Sequence, residues 1–356
     1  MLKILNIVGA RPQFIKASMI YHVINDGINH LLLHTGQHFD ANMSTSFFVE
    51  LNIPQPNINL GIHGGTHAEQ TGNMLIGIEN VLIDMKPDIV LVYGDTNSTL
   101  AGTLAAIKLG MPIAHIEAGL RSFNKNMPEE INRVVCDHLS DFLFCPTDNS
   151  MRNLNREGIK NGVHKVGDLM IDAIVHYLPT ARQRSKIMDT LQLTPKNYSL
   201  LTVHRAGNTD NHKTLIEIFT AIGQLNTRMV FPIHPRTKNA INYFKLKIPP
   251  NIVMIEPVGY FDMLILEENA ECIFTDSGGI QKEAYFLGTR CITLRDETEW
   301  LETVESGWNV IAGTEATKIL GAYQLETPND QNRDLYGSGN AGEKIINILT
   351  NEYIKA

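Results

Sequence analysis

The alternation of short apolar runs with longer amphipathic stretches constrains the fold of this 356-residue chain more than any other feature. The runs are rich in β-formers, and several are apolar on both faces. Such a strand must be covered on both sides, which favours a parallel sheet under helices, built from βαβ units. The runs predicted to be strands are residues 4–8, 30–34, 88–93, 112–117, 141–145, 198–203, 229–233, 252–255, 272–275 and 291–294.

Two segments carry the start signals of helices. Residues 66–69 (THAE) predict a capping box that opens a helix running toward Leu82. Residues 128–130 (PEE) predict the first turn of another helix, because proline fits the first helical position.

A pause in the strand pattern at residues 166–189 predicts a domain boundary. Two helical stretches follow each other there, and a new series of strands begins at Tyr198. We therefore predict two Rossmann-like α/β domains that face each other across a cleft. The first covers residues 1–168 and the second residues 169–340, and a last helix lies within residues 341–356.

Charge and cysteine content exclude several classes of protein. The chain has 30 basic and 38 acidic residues and a formal net charge of -8, which argues against nucleic acid or an anionic membrane surface as the main partner. The four cysteines form no CxxC pair, and each lies in or beside an apolar run, so we predict buried free thiols. No window reaches the roughly 18 apolar residues of a membrane span. We expect a cytoplasmic enzyme with no membrane partner.

Several patterns that resemble cofactor or metal sites do not have the context that such sites need. Residues 337–342 match GxGxxG, but they follow no strand, and only 14 residues come after them. The pairs His34/His38 and His63/His67 flank glycine-containing loops and have no third ligand. The sequence therefore predicts neither a metal nor a dinucleotide cofactor.

In open parallel sheets, ligands bind beyond the carboxyl ends of the strands. The first predicted strand ends in residues 9–13 (GARPQ), with Lys16 one turn into the next helix. Free backbone N–H groups with Arg11 and Lys16 suit an anion, although a solvated helix start is an equal alternative.

Two further strands of the first half end in acids, Asp95 and Glu117. One βαβ unit separates them, so their strands are expected to be neighbours. Two crowded carboxylates suit acid/base chemistry, because one of them is pushed toward a higher pKa. The alternative for Asp95 is a helix N-cap, and the alternative for Glu129 and Glu130 is compensation of a helix dipole.

Strands of the second half end in cationic or glycine-rich sequences. His204 and Arg205 follow one strand, and residues 234–236 (HPR) follow the next. Residues 277–279 (SGG) open a helix that carries Glu283, and this turn allows close approach of a phosphate. The residues together predict an enzyme that acts on a nucleotide-linked or phosphorylated metabolite.

Over nearly its whole length the chain resembles the non-hydrolysing UDP-N-acetylglucosamine 2-epimerase family. The motifs that carry this resemblance occur in a specific order and spacing. They are GARP at residues 9–12, HTGQH at 34–38, GDT at 94–96, HIEAGLR at 115–121, PEEINR at 128–133, TVHR at 202–205 and TDSGGIQ at 275–281.

The resemblance implies a reaction that needs no cofactor. UDP is eliminated from C1 and C2 of the sugar to give a 2-acetamidoglycal and is then re-added with the C2 proton on the other face. It also implies a GT-B-type fold, with the last helix crossing back to the first domain, and we expect a homodimer. The implied catalytic residues are Asp95, Glu117, Glu129 and His204. The implied substrate-binding residues are Arg11, Lys16, Gln37, Arg133, Arg205 and His234, with Ser277, Gly278 and Gly279 at the diphosphate and Glu283 at the ribose.

Some segments depart from the simplest family pattern, which reads GTRPE near the start and TERPE in the second domain. This chain has GARPQ at residues 9–13 and RDETEW at 295–300, with NMS at 42–44 and VGY at 258–260. These variants look more like the branch that acts on UDP-2,3-diacetamido-2,3-dideoxyglucuronate to serve surface-polysaccharide (O-antigen) synthesis. UDP-N-acetylglucosamine is the alternative substrate. A GT-B glycosyltransferase and a catalytically silent nucleotide-sugar binding protein are the alternative functions.

Overall fold

The computed structural model describes residues 1–37, 47–328 and 334–355. His38 and residues 42–44, which belong to two of the motifs above, lie outside this range. The chain forms two compact units. Unit 1 comprises Met1–His176 with Tyr336–Ala356, and unit 2 comprises Tyr177–Leu335. The chain passes from unit 1 to unit 2 after His176 and returns after Leu335, whereas the sequence predicts boundaries after residues 168 and 340.

Unit 1 contains a seven-stranded sheet in which all neighbouring strands are parallel. Its strands are β1 (Leu2–Val8), β2 (Ile28–His34), β3 (Ile58–Asn59), β4 (Ile89–Tyr93), β5 (Ile113–Ile116), β6 (Phe142–Cys145) and β7 (Val163–Lys165). They lie in the order β3-β2-β1-β4-β5-β6-β7. The helices are α1 (Arg11–Val23), α2 (His67–Met85), α3 (Asn97–Lys108), α4 (Pro128–Leu139), α5 (Asp148–Arg156) and α6 (Leu169–Arg184), which continues into unit 2.

Unit 2 contains a six-stranded parallel sheet. Its strands are β8 (Ser199–Thr202), β9 (Met229–Pro232), β10 (Ile252–Ile255), β11 (Cys272–Thr275), β12 (Arg290–Thr293) and β13 (Asn309–Ile311), in the order β10-β9-β8-β11-β12-β13. The helices are α7 (Ile187–Thr190), α8 (Ala206–Thr209), α9 (His212–Gln224), α10 (Pro235–Phe244), α11 (Tyr260–Asn269), α12 (Gly278–Leu287), α13 (Leu301–Glu305) and α14 (Ala316–Tyr323).

The predicted fold class, α/β with two parallel sheets, is confirmed, and each of the ten predicted strands is present. The sequence did not reveal β3, β7 and β13, which contain two or three residues each and lie at sheet edges. An edge strand has one paired neighbour and is partly exposed, so it needs no continuous apolar run. Central strands need such a run, and all five residues of β4 are buried.

Both predicted helix starts are confirmed. Thr66 Oγ1 accepts a hydrogen bond from the Glu69 N–H at 3.2 Å, and Glu69 Oε2 accepts one from the Thr66 N–H at 2.9 Å. Proline is the first residue of α4.

The last helix, α15 (Ala341–Lys355), belongs to unit 1. The Asp172 carboxylate accepts hydrogen bonds from the N–H groups of Ala341 at 3.1 Å and Gly342 at 2.8 Å. These are orphan donors at the start of the helix, so Asp172 ties the C-terminal segment to α6.

The four cysteines are free and buried, as predicted. Within the described residues, no helix combines the length and the apolar composition that a membrane crossing requires.

His30 makes the stability of unit 1 sensitive to acid. Its Nε2 is buried and has no hydrogen-bond partner within the described chain, and it shares an apolar pocket with Leu32 and Ile53. Burial disfavours the imidazolium and lowers the pKa of His30 to about 4. The unfolded chain binds this proton near pH 6.5, so stability is lost as the pH falls from about 6.5 to about 4.

Between pH 7 and pH 4 we expect the wild-type protein to lose unfolding free energy as His30 becomes protonated in the unfolded chain. We expect this loss to be smaller by about 3 kcal/mol in His30→Phe. Urea denaturation at a series of pH values measures this quantity. The exposed His63→Phe is the control and is expected to behave as wild type. Equal pH dependence of His30→Phe and wild type would contradict the assignment.

Candidate functional site

The turn after β1 is built differently from both alternatives that the sequence left open. Gln13 Oε1 accepts hydrogen bonds from the N–H groups of Gly9 at 2.7 Å and Ala10 at 3.0 Å, so these two donors are not available to an anion. Gly9 is required here, because a Cβ would lie 2.0 Å from Ser98 Oγ. Gly9 and Ala10 therefore offer no free N–H groups to an anion, and the helix start is not solvated, because Gln13 and Lys16 are buried.

Lys16 forms a salt bridge with Glu117, and both side chains are largely buried. Glu117 follows β5 with a φ of 71°, a left-handed conformation that is uncommon for a residue with a side chain. Its N–H group and that of Ala118 both donate to the Phe144 carbonyl at 3.1 Å. Strained backbone of this kind is found at functional sites, where the surrounding structure holds it.

Asp95 forms a salt bridge with the buried Arg133 of α4, and its side chain is 27% exposed. Arg133 also binds Glu130 at 2.7 Å. The N-cap of α3 is Thr96, whose side chain accepts from the Thr99 N–H, so Asp95 is not the cap that the alternative reading required. Asp95 and Glu117 lie at the ends of adjacent strands, as predicted, but each is paired with its own cation.

The two acids at the start of α4 have different roles. Glu130 is buried, and its carboxylate accepts from the N–H groups of Ser122 at 2.9 Å and Phe123 at 2.8 Å. It therefore holds the loop that precedes α4. Glu129 is half-buried and has no hydrogen bond or ion pair among the described residues. Of the three candidate catalytic carboxylates it is the one without a cation beside it.

Two other predicted substrate contacts of unit 1 flank the same strand ends. Gln37 Oε1 accepts from the Ser98 N–H at 3.0 Å and from the Ser98 hydroxyl at 2.6 Å. The Arg11 guanidinium lies 4.8 Å from the centre of the Phe47 ring. Arg11 is the first residue of α1, and Gln37 is bonded to α3.

A group of charged and polar side chains is buried in unit 1, formed by His115, Asp137 and Arg121. The two ring nitrogens of His115 lie 2.7 Å from Asp137 Oδ1 and 2.7 Å from the Gly94 carbonyl oxygen. Asp137 Oδ2 accepts from the Gly119 N–H at 3.0 Å and from Arg121 at 2.6 Å. Burial acts to raise the pKa of Asp137, but the hydrogen bonds and charges of His115 and Arg121 outweigh it, and the pKa is lowered. Because Asp137 and Gly94 both accept, His115 donates from both ring nitrogens.

Arg121 also binds a second carboxylate. It forms two hydrogen bonds of 2.7 Å to Glu157, the residue that follows α5, in the bidentate geometry that is strongest for a guanidinium. The pKa of Arg121 is raised, because its bonds to Glu157 and Asp137 outweigh the cost of burial.

In unit 2 the carboxylate of Asp276, fully buried, organises the loop after β8. It accepts from the N–H groups of His204 at 3.0 Å and Arg205 at 2.9 Å and from the Asn208 side chain at 3.0 Å. His204 Nδ1 lies 3.3 Å from Asp276 Oδ1, and 38% of the His204 side chain is exposed. His204 is therefore oriented by a buried carboxylate while its ring still reaches the surface of unit 2.

His234 caps α10 and lies beside this loop. Its ring accepts a hydrogen bond from the Arg236 N–H at 3.2 Å. The centre of the His234 ring lies 5.5 Å from that of His204. The two strand ends that the sequence singled out, those of β8 and β9, thus bring their histidines together.

The predicted glycine turn at the start of α12 is present. Ser277 is the N-cap and makes no side-chain cap hydrogen bond, so the first N–H groups of the helix have no side-chain cap. A Cβ on Gly278 would lie 2.4 Å from Glu299 Oε1, whereas one on Gly279 would have its nearest neighbour, Ser277 Oγ, at 3.9 Å. Close packing against Glu299 therefore requires glycine at 278 and permits a side chain at 279.

The segment that departs from the simplest family pattern packs against α12. Glu299 is buried and lies 3.0 Å from Arg295 and 3.9 Å from Arg205. The buried Lys282 lies with its ammonium group 3.8 Å from the centre of the Trp300 ring. Glu283, the predicted ribose contact, is buried in the same helix.

Several residues of these sites were not predicted from the sequence. Asp137, Asp276 and Glu299 make contacts with residues far along the chain, which no local pattern shows. Gln13 makes such contacts through its side-chain N–H groups, with Tyr93 and Thr99. One signal was available: Asp137 follows Arg133 and Glu129 at intervals of four residues, so all three share one face of α4. No group of three or more metal-binding side chains is present in the part of the chain that the structure covers.

The comparisons with known proteins agree with each other. The family profile described as UDP-N-acetylglucosamine 2-epimerase matches residues 23–350. The chain is 49% identical to a UDP-N-acetylglucosamine 2-epimerase homolog of Methanococcus maripaludis, over 98% of this chain and 100% of that protein. It is 46% identical to the UDP-2,3-diacetamido-2,3-dideoxy-D-glucuronate 2-epimerase of Pseudomonas aeruginosa, over 98% and 99% of the two chains.

A solved structure of the same family has nearly the same fold. It is the crystal structure of the Methanocaldococcus jannaschii UDP-GlcNAc 2-epimerase in complex with UDP-GlcNAc and UDP. The TM-score is 0.93 at 46% sequence identity, and the match covers 98% of this chain and 99% of that one. The extent of these matches shows that the chain belongs to the UDP-N-acetylglucosamine 2-epimerase family.

Proposed function

We propose that this protein is a non-hydrolysing UDP-sugar 2-epimerase that inverts C2 of a UDP-2-acetamido sugar. The observation that carries the proposal is the set of three carboxylates in unit 1. Asp95 and Glu117 are each paired with a buried cation, and Glu129 is not. Inversion at C2 needs groups that take a proton from one face and return one to the other, and such a set meets that need.

The proposed reaction needs no added oxidant or reductant. A carboxylate removes the C2 proton, the C1–O bond breaks, and its electron pair leaves with UDP, which gives a 2-acetamidoglycal. The β-phosphate oxygen of UDP then attacks C1 again, and C2 receives a proton on the opposite face. Atoms and charge balance, and no metal or redox cofactor takes part.

The ion pairs favour particular roles for the three acids. A neighbouring cation stabilises the charged form of a carboxylate, so Asp95 and Glu117 suit the role of base. Glu129 has no such partner, and the proposal gives it the second proton transfer. We assign Lys16 and Arg133 to the substrate as well as to these carboxylates, since both cations lie beside the reacting groups.

Unit 2 is proposed to hold the nucleotide. His204, Arg205 and His234 offer polar and cationic groups, and the α12 turn with Ser277, Gly278 and Gly279 offers backbone N–H groups at the positive end of a helix dipole. Such groups stabilise the charge that develops on a leaving diphosphate. In this proposal Glu283 binds the ribose.

The proposed substrate is UDP-2,3-diacetamido-2,3-dideoxyglucuronate, whose product would serve surface-polysaccharide synthesis. UDP-N-acetylglucosamine is the second candidate, and the similarity of the chain to relatives named for each substrate is nearly equal. The GARPQ segment at residues 9–13 and the RDETEW segment at residues 295–300, where the simplest pattern differs, favour the diacetamido uronate.

Incubation in deuterated water with each UDP-sugar tests the proposal. We expect deuterium at C2 of both epimers, because the C2 proton is lost and replaced in each turnover. A glycosyltransferase or a binding protein on this fold would incorporate none. Absence of deuterium with every UDP-2-acetamido sugar contradicts the proposed function, and turnover of UDP-N-acetylglucosamine alone contradicts the proposed substrate.

Asp95→Asn is expected to lower kcat about 100-fold or more, while the Kd for UDP stays within about twofold. The matched control is Asp148→Asn. Asp148 also follows a strand of unit 1, but its exposed salt bridge with Lys165 contributes little. Steady-state kinetics with calorimetric UDP titration measure both values. Normal turnover of Asp95→Asn would remove Asp95 from the catalytic set.

Two neighbouring glycines of α12 test the diphosphate assignment. Gly278→Ala forces Glu299 away from the helix start and is expected to weaken UDP binding about tenfold. Gly279→Ala has room for its methyl group and is expected to change the Kd less than about twofold. Equal affinities of the two variants would place UDP elsewhere.

The predicted homodimer and cytoplasmic location remain proposals. Sedimentation of the purified protein measures the first. A monomer at micromolar concentration that turns over normally would contradict it.

A further inference from the structure

We propose that Asp137 is a positioning residue for the epimerisation, one that fixes the backbone segments carrying Asp95 and Glu117. The inference rests on the proposed function, because positioning has meaning only if these two carboxylates act on the substrate. Asp137 is not among the site residues that the sequence predicts. It touches neither carboxylate itself and acts through His115, Arg121 and two backbone groups.

The two oxygens of Asp137 reach two different strand ends. Oδ1 binds His115, which donates from its other nitrogen to the carbonyl of Gly94, the residue before Asp95. Oδ2 accepts from the N–H of Gly119, two residues after Glu117. One carboxylate thus joins the loops that follow β4 and β5, and the relative position of the two catalytic acids depends on it.

These loops have conformations that need such support. Gly94 has a φ of 62°, Glu117 a φ of 71° and Gly119 a φ of 80°. A left-handed conformation is costly for Glu117 and persists only where neighbouring contacts hold it. The hydrogen bonds of Asp137 to Gly119 and, through His115, to Gly94 are contacts of this kind.

Helix α4 relates Asp137 to the third acid as well. Glu129, Arg133 and Asp137 are four residues apart, so they lie along one face of the helix, with Arg133 bound to Asp95. A single rigid element therefore carries one catalytic acid, holds the second through Arg133 and holds the backbone next to the third through Asp137. Rigid placement of this kind matters, because a displacement of about 1 Å can cost 100-fold in rate.

Charge balance explains why a carboxylate is needed here. The side chains of Asp137, His115 and Arg121 are almost fully buried, and Glu157 completes the set. Two anions and two cations compensate each other, which a buried group of charges requires. An amide in place of Asp137 would have the same shape but would leave two cationic partners facing a neutral group.

The first test is Asp137→Asn in the full-length protein. We expect kcat for deuterium exchange at C2 to fall about 100-fold, with KM and the Kd for UDP within about twofold. Asp141→Asn is the matched control. Asp141 accepts from the Ile113 N–H at 2.9 Å, at the opposite end of the same strand, β5. We expect it to lower Tm but to leave kcat unchanged.

Two outcomes overturn the proposal. One is a normal kcat for Asp137→Asn, and the other is an equal loss of kcat in Asp137→Asn and Asp141→Asn, which would mark a general structural effect.

A second measurement uses the wild-type protein and does not depend on whether Asp137→Asn folds. In ¹⁵N NMR of histidine-labelled protein, we expect both ring nitrogens of His115 to carry protons that exchange slowly with water. Assignment comes from the signal that disappears in His115→Gln. A His115 ring with one proton overturns the proposed link from Asp137 through His115 to Gly94. If wild type incorporates no deuterium at C2, the proposed function fails, and the NMR signals of His115 still report on this link alone.

Discussion

Compensation of buried carboxylates is the constraint on which the functional part of unit 1 depends. Asp95 and Glu117 lie where two parallel strands end, and each is partly removed from water. A buried carboxylate without a partner is costly, so the fold supplies Lys16 from α1 and Arg133 from α4. Asp137 has the same need, and His115 and Arg121 compensate its charge. The charges are therefore both the proposed reactive groups and the contacts that hold them.

Parallel sheets account for the position of these groups and for how much the sequence could predict. Continuous apolar runs specify buried central strands, and the residues after each run must lie at one edge of the sheet. For this reason Asp95, Glu117, His204 and the glycine turn at Gly278 were recognisable without a structure. The edge strands β3, β7 and β13 were missed because an exposed edge needs no apolar run.

The partners of the candidate residues were less predictable for a different reason. Lys16 and Glu117 are far apart in the sequence, as are Arg133 and Asp95, and a salt bridge between distant residues leaves no local periodicity. The expectation of two crowded carboxylates took no account of these cations. Gln13 was read as a residue beside an anion site, and it instead occupies the N–H groups that such a site would use.

The two units divide the proposed work according to their chemistry. Unit 1 concentrates acids with their cations, which suits proton transfer. Unit 2 has a helix start with glycine and two strand-end histidines, which suits a diphosphate. In each unit a fully buried aspartate holds a loop that follows a strand. Asp137 accepts from the N–H of Gly119, and Asp276 accepts from those of His204 and Arg205. We propose that these groups break and remake the C1–O bond of a UDP-sugar.

Positional isotope exchange tests that claim most directly. A UDP-sugar labelled with ¹⁸O in the C1–O–P bridge is incubated with the protein, and ³¹P NMR follows the label. Elimination frees the β-phosphate, so the label is expected to move to non-bridging positions while C2 is inverted. Inversion of C2 with the label retained in the bridge would contradict elimination and re-addition of UDP.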